Sequence, residues 1–201
     1  MDARDWDERY GATDLVWSAD PNRFVVEETA DLQPGRALDL AAGEGRNAIW
    51  LAEQGWQVTA VDFSPVGVDK GRRLADAAGV EVAWLVADAT TWEPPAQGFD
   101  LVLVAYLQVP PDGRRAAHRR AAEAVARGGT LLIVGHDRDN LELGYGGPPD
   151  PEVLLDVDGV VGDLEGTGLT IVAAGQVERT VDTDEGTRTA IDCLVRATRP
   201  R

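Results

Sequence analysis

Apolar positions recur along the chain in two distinct patterns. Short uninterrupted runs at Ala37 to Ala41, Val58 to Val61, Val82 to Ala87, Leu101 to Ala105 and Thr130 to Val134 have the length of strands buried on both faces. Between them, Arg46 to Gln54, Pro65 to Ala78 and Asp112 to Ala126 carry helical spacing, with Gly55, Gly79 and Gly128 placed as stops. Strand and helix thus alternate from Arg36 to Gly135, which predicts an α/β chain with a doubly wound, mostly parallel sheet. Both ends depart from the alternation. A helix from about Pro21 to Ala30 precedes the first strand, and Trp6, Tyr10 and Trp17 precede that helix. At the other end, Leu169 to Val177 and Thr189 to Val195 are β-like runs separated by Asp182-Thr183-Asp184-Glu185-Gly186, which predicts an antiparallel hairpin closing the sheet.

The chemistry concentrates where strands end. Leu38-Asp39-Leu40-Ala41-Ala42-Gly43-Glu44-Gly45-Arg46-Asn47 is a strand, a glycine turn and the start of a helix, and Val58-Thr59-Ala60-Val61-Asp62 is a second strand tipped by an acid. Glycines let backbone amides approach a ligand at the positive end of a helix, and a carboxylate at the second tip accepts ribose hydroxyls. The turn also fits a dinucleotide fingerprint, but Asp39 and Glu44 beside it would repel a pyrophosphate. They suit a cationic, zwitterionic cofactor such as S-adenosylmethionine, whose carboxylate can use the turn amides and Arg46. A third strand, Trp84 to Ala87, runs into Asp88, placed to accept from an adenine amine. In a parallel sheet Asp39, Asp62 and Asp88 share one edge, where open α/β folds bind ligands. Taken singly, each acid is as well explained as a turn former.

Composition narrows the partners. The 201 residues suit one well-buried unit, and a net charge of -16 argues against nucleic acid, whose binding draws on phosphate neutralisation. Arg114, Arg115, Arg119 and Arg120 cluster on one predicted helix and read as a solvated face, with His118 among them facing solvent. No apolar run reaches membrane-spanning length, the start lacks a signal-peptide core, and Cys193 alone gives neither disulfides nor a zinc site. The expectation is a cytoplasmic protein with a small-molecule partner, no membrane, no nucleic acid and no metal. An acidic surface slows approach of anionic substrates at low salt.

With these motifs in place, the chain resembles the class I S-adenosylmethionine-dependent methyltransferases over nearly its whole length. Trp6-Asp7-Glu8-Arg9-Tyr10-Gly11 and Gly43-Glu44-Gly45-Arg46-Asn47 are similar to the tellurite-resistance and thiopurine methyltransferase group. The resemblance implies a Rossmann-like seven-stranded sheet in one domain over 1–201. Its parts would be a helical cover (1–35), a cofactor core (36–135), a substrate-side loop and helix (136–168) and the hairpin (169–201). It further implies that Asp39, Gly43, Gly45 and Arg46 border the methionine part, Asp62 the ribose and Phe63 an adenine face. Asp88 and Ala89 would hold the adenine edge, Ala105 would border the cofactor, and Trp6, Tyr10 and Trp17 would cover it. Ala41-Ala42 departs from the class pattern, which usually has a small residue, often Gly, followed by Cys or Gly there.

Methyl transfer is an in-line displacement that alignment and water exclusion can drive. Where the acceptor must lose a proton, His136 after the fifth strand is the candidate base, a loop histidine being its plainer explanation. Tyr106 and Gln108 stand where the class places acceptor contacts, and Tyr145 in Gly144-Tyr145-Gly146-Gly147-Pro148-Pro149 is a candidate substrate lid. Two other readings stay open. A non-catalytic S-adenosylmethionine-binding protein would carry the same cofactor motifs, and an occluded pocket beside the sulfonium would mark it. A nicotinamide-dependent oxidoreductase would use the same turn and would bind NADH.

Overall fold

The computed structural model describes residues 3–13, 15–16 and 19–201. Its strands are β1 (Arg36–Leu40), β2 (Gln57–Asp62), β3 (Val82–Val86), β4 (Phe99–Ala105), β5 (Val125–His136), β6 (Thr170–Thr183) and β7 (Gly186–Thr198). All join one sheet in the order β3-β2-β1-β4-β5-β7-β6. The first five pair in parallel, and β7 runs antiparallel to both β5 and β6. Chain order reverses between β1 and β4, so the crevice at their carboxyl ends is the switch point where such sheets take ligands.

The helices are α1 (Ala3–Gly11), α2 (Arg23–Thr29), α3 (Arg46–Glu53), α4 (Pro65–Ala78), α5 (Pro111–Ala124), α6 (Asn140–Leu143) and α7 (Val157–Asp163). Their starts follow local chemistry. Asn22 Oδ1 accepts from the Phe24 and Val25 amides, Ser64 Oγ accepts from Gly67 with Pro65 next to it, and Asp156 Oδ1 accepts from Gly159. Strand alternation sends Leu38, Leu40, Val102, Val104, Leu131 and Ile133 to one face, against Ala117 and Ala121 of α5 and Val160 of α7. Ala37, Leu101, Leu103, Leu132 and Val134 face Phe24, Val25, Ala48 and Leu51 of α2 and α3.

Three expectations are corrected. β3 is not buried on both faces: it is the outer strand, and Leu85 and Val86 are exposed. The helix before β5 ends at Ala124 instead of Ala126, and Gly128-Gly129 lie within β5. There the pairing with β4 jumps from Phe99↔Val125 to Leu101↔Thr130, a bulge that absorbs the glycines. The basic helix is not simply a solvated face, because α5 packs on α7. His118 and Arg114 are buried there, with His118 Nδ1 and Arg114 Nε each 3.0 Å from Asp163 Oδ2 and Arg115 Nε 3.1 Å from Oδ1. Burial alone raises a carboxyl's pKa, yet the bonds from His118, Arg115 and Arg114 hold Asp163 down at about 2.

Candidate functional site

At the switch point lies a cavity of about 630 Å³. Its wall includes Trp6, Tyr10, Asp39, Gly43, Gly45, Arg46, Asp62, Phe63, Asp88, Ala89, Ala105, Tyr106, Gln108 and His136, so the structure brings almost every sequence-selected residue to one place. Trp17 lies outside the described residues. Tyr145 is half-exposed and does not line the cavity. Its loop is nevertheless tied to the site, since Asn140 Nδ2 donates to Gly146 O at 2.7 Å and Gly147 abuts the His136 ring.

The turn after β1 is shaped by aromatics as much as by ligand space. Gly43 (φ 58°) and Gly45 (φ 80°) are left-handed, and a Cβ on Gly43 would stand 2.7 Å from the Tyr10 hydroxyl. On Gly45 it would run into the Trp84 ring. Ala41 is also left-handed, at φ 64°, where an L-residue with a Cβ is strained by about 1 kcal/mol. Trp6 and Tyr10 are buried with ring centroids 5.5 Å apart, so they anchor α1 and line the cavity at once.

The acids at the strand ends differ in how they are held. Asp62 Oδ2 accepts from the Gly43 amide at 2.8 Å and Oδ1 from the Ser64 amide at 2.9 Å, so it clamps the turn while bordering the cavity. Burial raises its pKa, against those amides. Asp88 follows β3 by two residues, and its Oδ1 takes the Thr90 amide and hydroxyl, the turn-forming role. Asp39 is 1% exposed, and neither of its carboxylate oxygens has a hydrogen-bond partner among the described residues. Burial, reinforced by the Asp62 charge, raises its pKa to about 7, with Arg46 and the Ala48 amide offsetting only part. Asp39 is thus a buried carboxylate at the cavity wall whose oxygens make no hydrogen bond within the described residues.

Glu44 corrects the charge argument drawn from the turn. It is buried, 3.0 Å from Lys70 Nζ, and takes the Val16 amide at 3.0 Å. Its charge is neutralised within the protein, so discrimination against a pyrophosphate falls to Asp39.

Beyond Tyr106 the site contains residues that the sequence reading missed. Register places His136 of β5 opposite Asp192 of β7, and Asp192 opposite Val177 of β6, with Arg179 two residues further along the same face. Asp192 is fully buried, with His136 Nδ1 3.2 Å from Oδ1, and with Arg179 Nε and the Tyr106 hydroxyl each 2.7 Å from Oδ2. Burial would raise the Asp192 pKa, but His136, Arg179 and Tyr106 bring it below the ordinary carboxylate range. Tyr106 also takes the Asn22 amide at 3.1 Å, and burial with the Asp192 charge raises its phenol pKa. Tyr106 itself is left-handed at φ 56°, an uncommon state for a bulky residue and one found at functional sites. The available signal was Asp192 itself, a lone acid inside Ala190-Ile191-Asp192-Cys193-Leu194-Val195. Cys193 is buried, its thiol pushed up to about 12 by desolvation, and free, as the sequence indicates.

Comparison with known proteins agrees with this geometry. Residues 37–129 match the methyltransferase domain family. A demethylmenaquinone methyltransferase from Thermus thermophilus is 39% identical over 99 residues, covering 48% of this chain and 43% of its own length, so the chain spans under half of that relative. A solved structure described as converting a disulfide bond into a thioacetal group during echinomycin biosynthesis superposes with a TM-score of 0.72 at 26% identity, over 90% of this chain and 82% of the other. Magnesium protoporphyrin IX methyltransferase from Synechocystis PCC 6803, solved with bound SAH, shares the fold with a TM-score of 0.67 at 18% identity, over 88% and 80% of the two chains. No helix among the described residues is long and apolar enough to cross a membrane. Residues 37–129 thus match the methyltransferase domain family, and they lie in a Rossmann-like seven-stranded sheet with a cavity at its switch point.

Proposed function

We propose that this chain transfers a methyl group from S-adenosylmethionine to a small-molecule acceptor, with residues 1–201 acting as one unit. The observation that carries the reading is Asp39, a buried carboxylate lacking a partner at the wall of a cavity that continues past Tyr106 to His136. That donor set fits the cofactor: Asp39 would take its ammonium, Arg46 and the turn amides its carboxylate, and Asp62 the ribose through its remaining lone pairs. Phe63, Asp88 and Ala89 would border the adenine, with Ala105 beside the cofactor and Trp6 and Tyr10 as cover. When bound, the cofactor supplies a methyl group activated by a positive sulfur. Residues 136–168 and the hairpin at 169–201 would form the acceptor side, and the motifs at Trp6–Gly11 and Gly43–Asn47 support a place near the tellurite-resistance and thiopurine methyltransferase group.

The chain's own contribution is alignment, dryness and proton removal. Tyr106, fixed by Asn22 and Asp192, and Gln108 would orient the acceptor. Asp192 faces His136 Nδ1, which leaves Nε2 on the other side of the ring to take the acceptor's proton and pass it to solvent. The extension of the cavity past Tyr106 to His136 favours an enzyme over a binding protein, because space remains for a second ligand. The test is to incubate the protein with S-adenosylmethionine and a panel of small acceptors and to follow S-adenosylhomocysteine. Acceptor-dependent product, reduced at least tenfold in His136→Gln, is expected. Bound cofactor with no turnover across the panel would favour the binding protein.

A further inference from the structure

The acceptor end of the cavity differs in charge from the chain as a whole, which carries 35 acidic and 19 basic residues. Among the acids of the wall, Asp39 lies in β1, Asp62 ends β2 and Asp88 follows β3, with Glu44 and Glu53 on the same side at the turn and helix after β1, while Arg46, Arg179 and His136 gather around Tyr106. The Arg46 and Arg179 guanidinium carbons stand 6.0 Å and 5.9 Å from the Tyr106 ring centroid, and the His136 ring is 4.9 Å from it, edge-on. The two guanidiniums repel one another: burial first, and Arg179 with it, lowers the Arg46 pKa. Asp192 offsets Arg179 from behind the wall, and what remains for an anion in the cavity are the donor groups of the cluster that Asp192 does not occupy.

Arg179 is the member built for that anion. It sits on the inner face of β6, and its Nε is fixed by Asp192 at 2.7 Å behind the wall while the residue lines the cavity. A guanidinium held by its Nε edge keeps its terminal nitrogens as a planar fork, the geometry that receives a carboxylate. Thr180 and Gln108 also line the wall and add polar groups to the same cavity. Arg46, at the first turn of α3, belongs with the cofactor carboxylate.

We infer that the methyl acceptor is itself acidic, a small molecule whose carboxylate docks on Arg179 while its nucleophile faces the cofactor between Tyr106 and His136. The inference rests on the methyl-transfer reading and refines it. It also separates two roles of charge: the acidic surface slows arrival of such a substrate, and the local basic cluster retains it.

The test uses calorimetry on the full chain saturated with S-adenosylhomocysteine, titrated with benzoate, phenylacetate and 4-hydroxybenzoate and with the primary amide of each. Acids binding at least tenfold tighter than their amides is the expected result. Arg179→Gln should bring that preference below twofold and Arg179→Lys should keep part of it, with S-adenosylhomocysteine affinity unchanged within twofold in both. Equal binding of acids and amides, a preference that survives Arg179→Gln, or no response to any acid in protein that binds S-adenosylhomocysteine overturns the inference and leaves methyl transfer standing. Failure to bind S-adenosylhomocysteine removes the methyl-transfer reading and this inference with it.

Discussion

Asp39 on β1 and Asp163 on α7 are both 1% exposed, and they are held in opposite ways. Asp163 receives His118, Arg114 and Arg115 within about 3 Å and is driven down to a pKa of about 2. Asp39 has no hydrogen-bond partner among the described residues and is raised to about 7. The same chain therefore satisfies a buried carboxylate fully where the role is to fasten α5 to α7, and leaves one bare where the wall faces a cavity. Three donors hold the first acid, whereas the second has only the Arg46 charge and the Ala48 amide nearby to offset its burial. On the methyl-transfer proposal, the second acid is matched by a donor that arrives with the ligand.

The comparison is broken most severely from the satisfied side. Asp163→Ala leaves Arg114 and His118 buried without their acid, and chemical denaturation should show a loss of about 3–5 kcal/mol. A loss under about 1 kcal/mol would mean that the network is not holding α7. The bare side should respond with the opposite sign. Asp39→Asn removes a charge that burial penalises, so the ligand-free protein should gain about 2–4 kcal/mol at pH 8 while cofactor affinity falls at least tenfold. Destabilisation like that of Asp163→Ala would show that Asp39 has a structural partner after all.

Acidity sharpens the same contrast. A carboxyl raised from its ordinary 3.8 to about 7 takes up a proton on folding. Its penalty is thus absent below about pH 4, grows as pH rises and is complete above about 7. The stability gap between Asp39→Asn and the unmutated chain should close between pH 8 and pH 4. Asp163, depressed to about 2, runs the other way: its contribution of about 2 kcal/mol is complete above about pH 4 and is lost as pH falls toward 2. Paired titrations of melting temperature would separate the two windows. The smallest effect is at Ala41, where φ 64° penalises a Cβ. Ala41→Gly should stabilise by about 0.5 kcal/mol after the greater unfolded-state entropy of glycine is counted, with cofactor affinity preserved.

Much of this molecule is legible from its chain. The helix at Pro65 to Ala78 runs to its predicted residues because Ser64, Pro65 and Gly79 are local stop and start signals. The cofactor edge was legible because strand, turn and acid lie within 25 residues, from Leu38 to Asp62. What escaped depends on register between distant strands. His136, Asp192 and Arg179 meet only because β5 pairs with β7 and β7 with β6, and no local pattern announces such a meeting. The pairing of Glu44 with Lys70 and of His118 with Asp163 was hidden for the same reason, since formal charge along a chain does not record its partner. In both cases the residue's type was read correctly for a solvated position and wrongly for a buried one.

Calorimetric titration with S-adenosylmethionine, S-adenosylhomocysteine and NADH, run near pH 7 in two buffers of different ionisation enthalpy, tests the claim about Asp39 most directly. The account predicts micromolar binding of the first two and none of NADH, with release of about half a proton as Asp39 becomes charged against the ammonium. Binding of NADH, or silence from both adenosyl ligands, would contradict it.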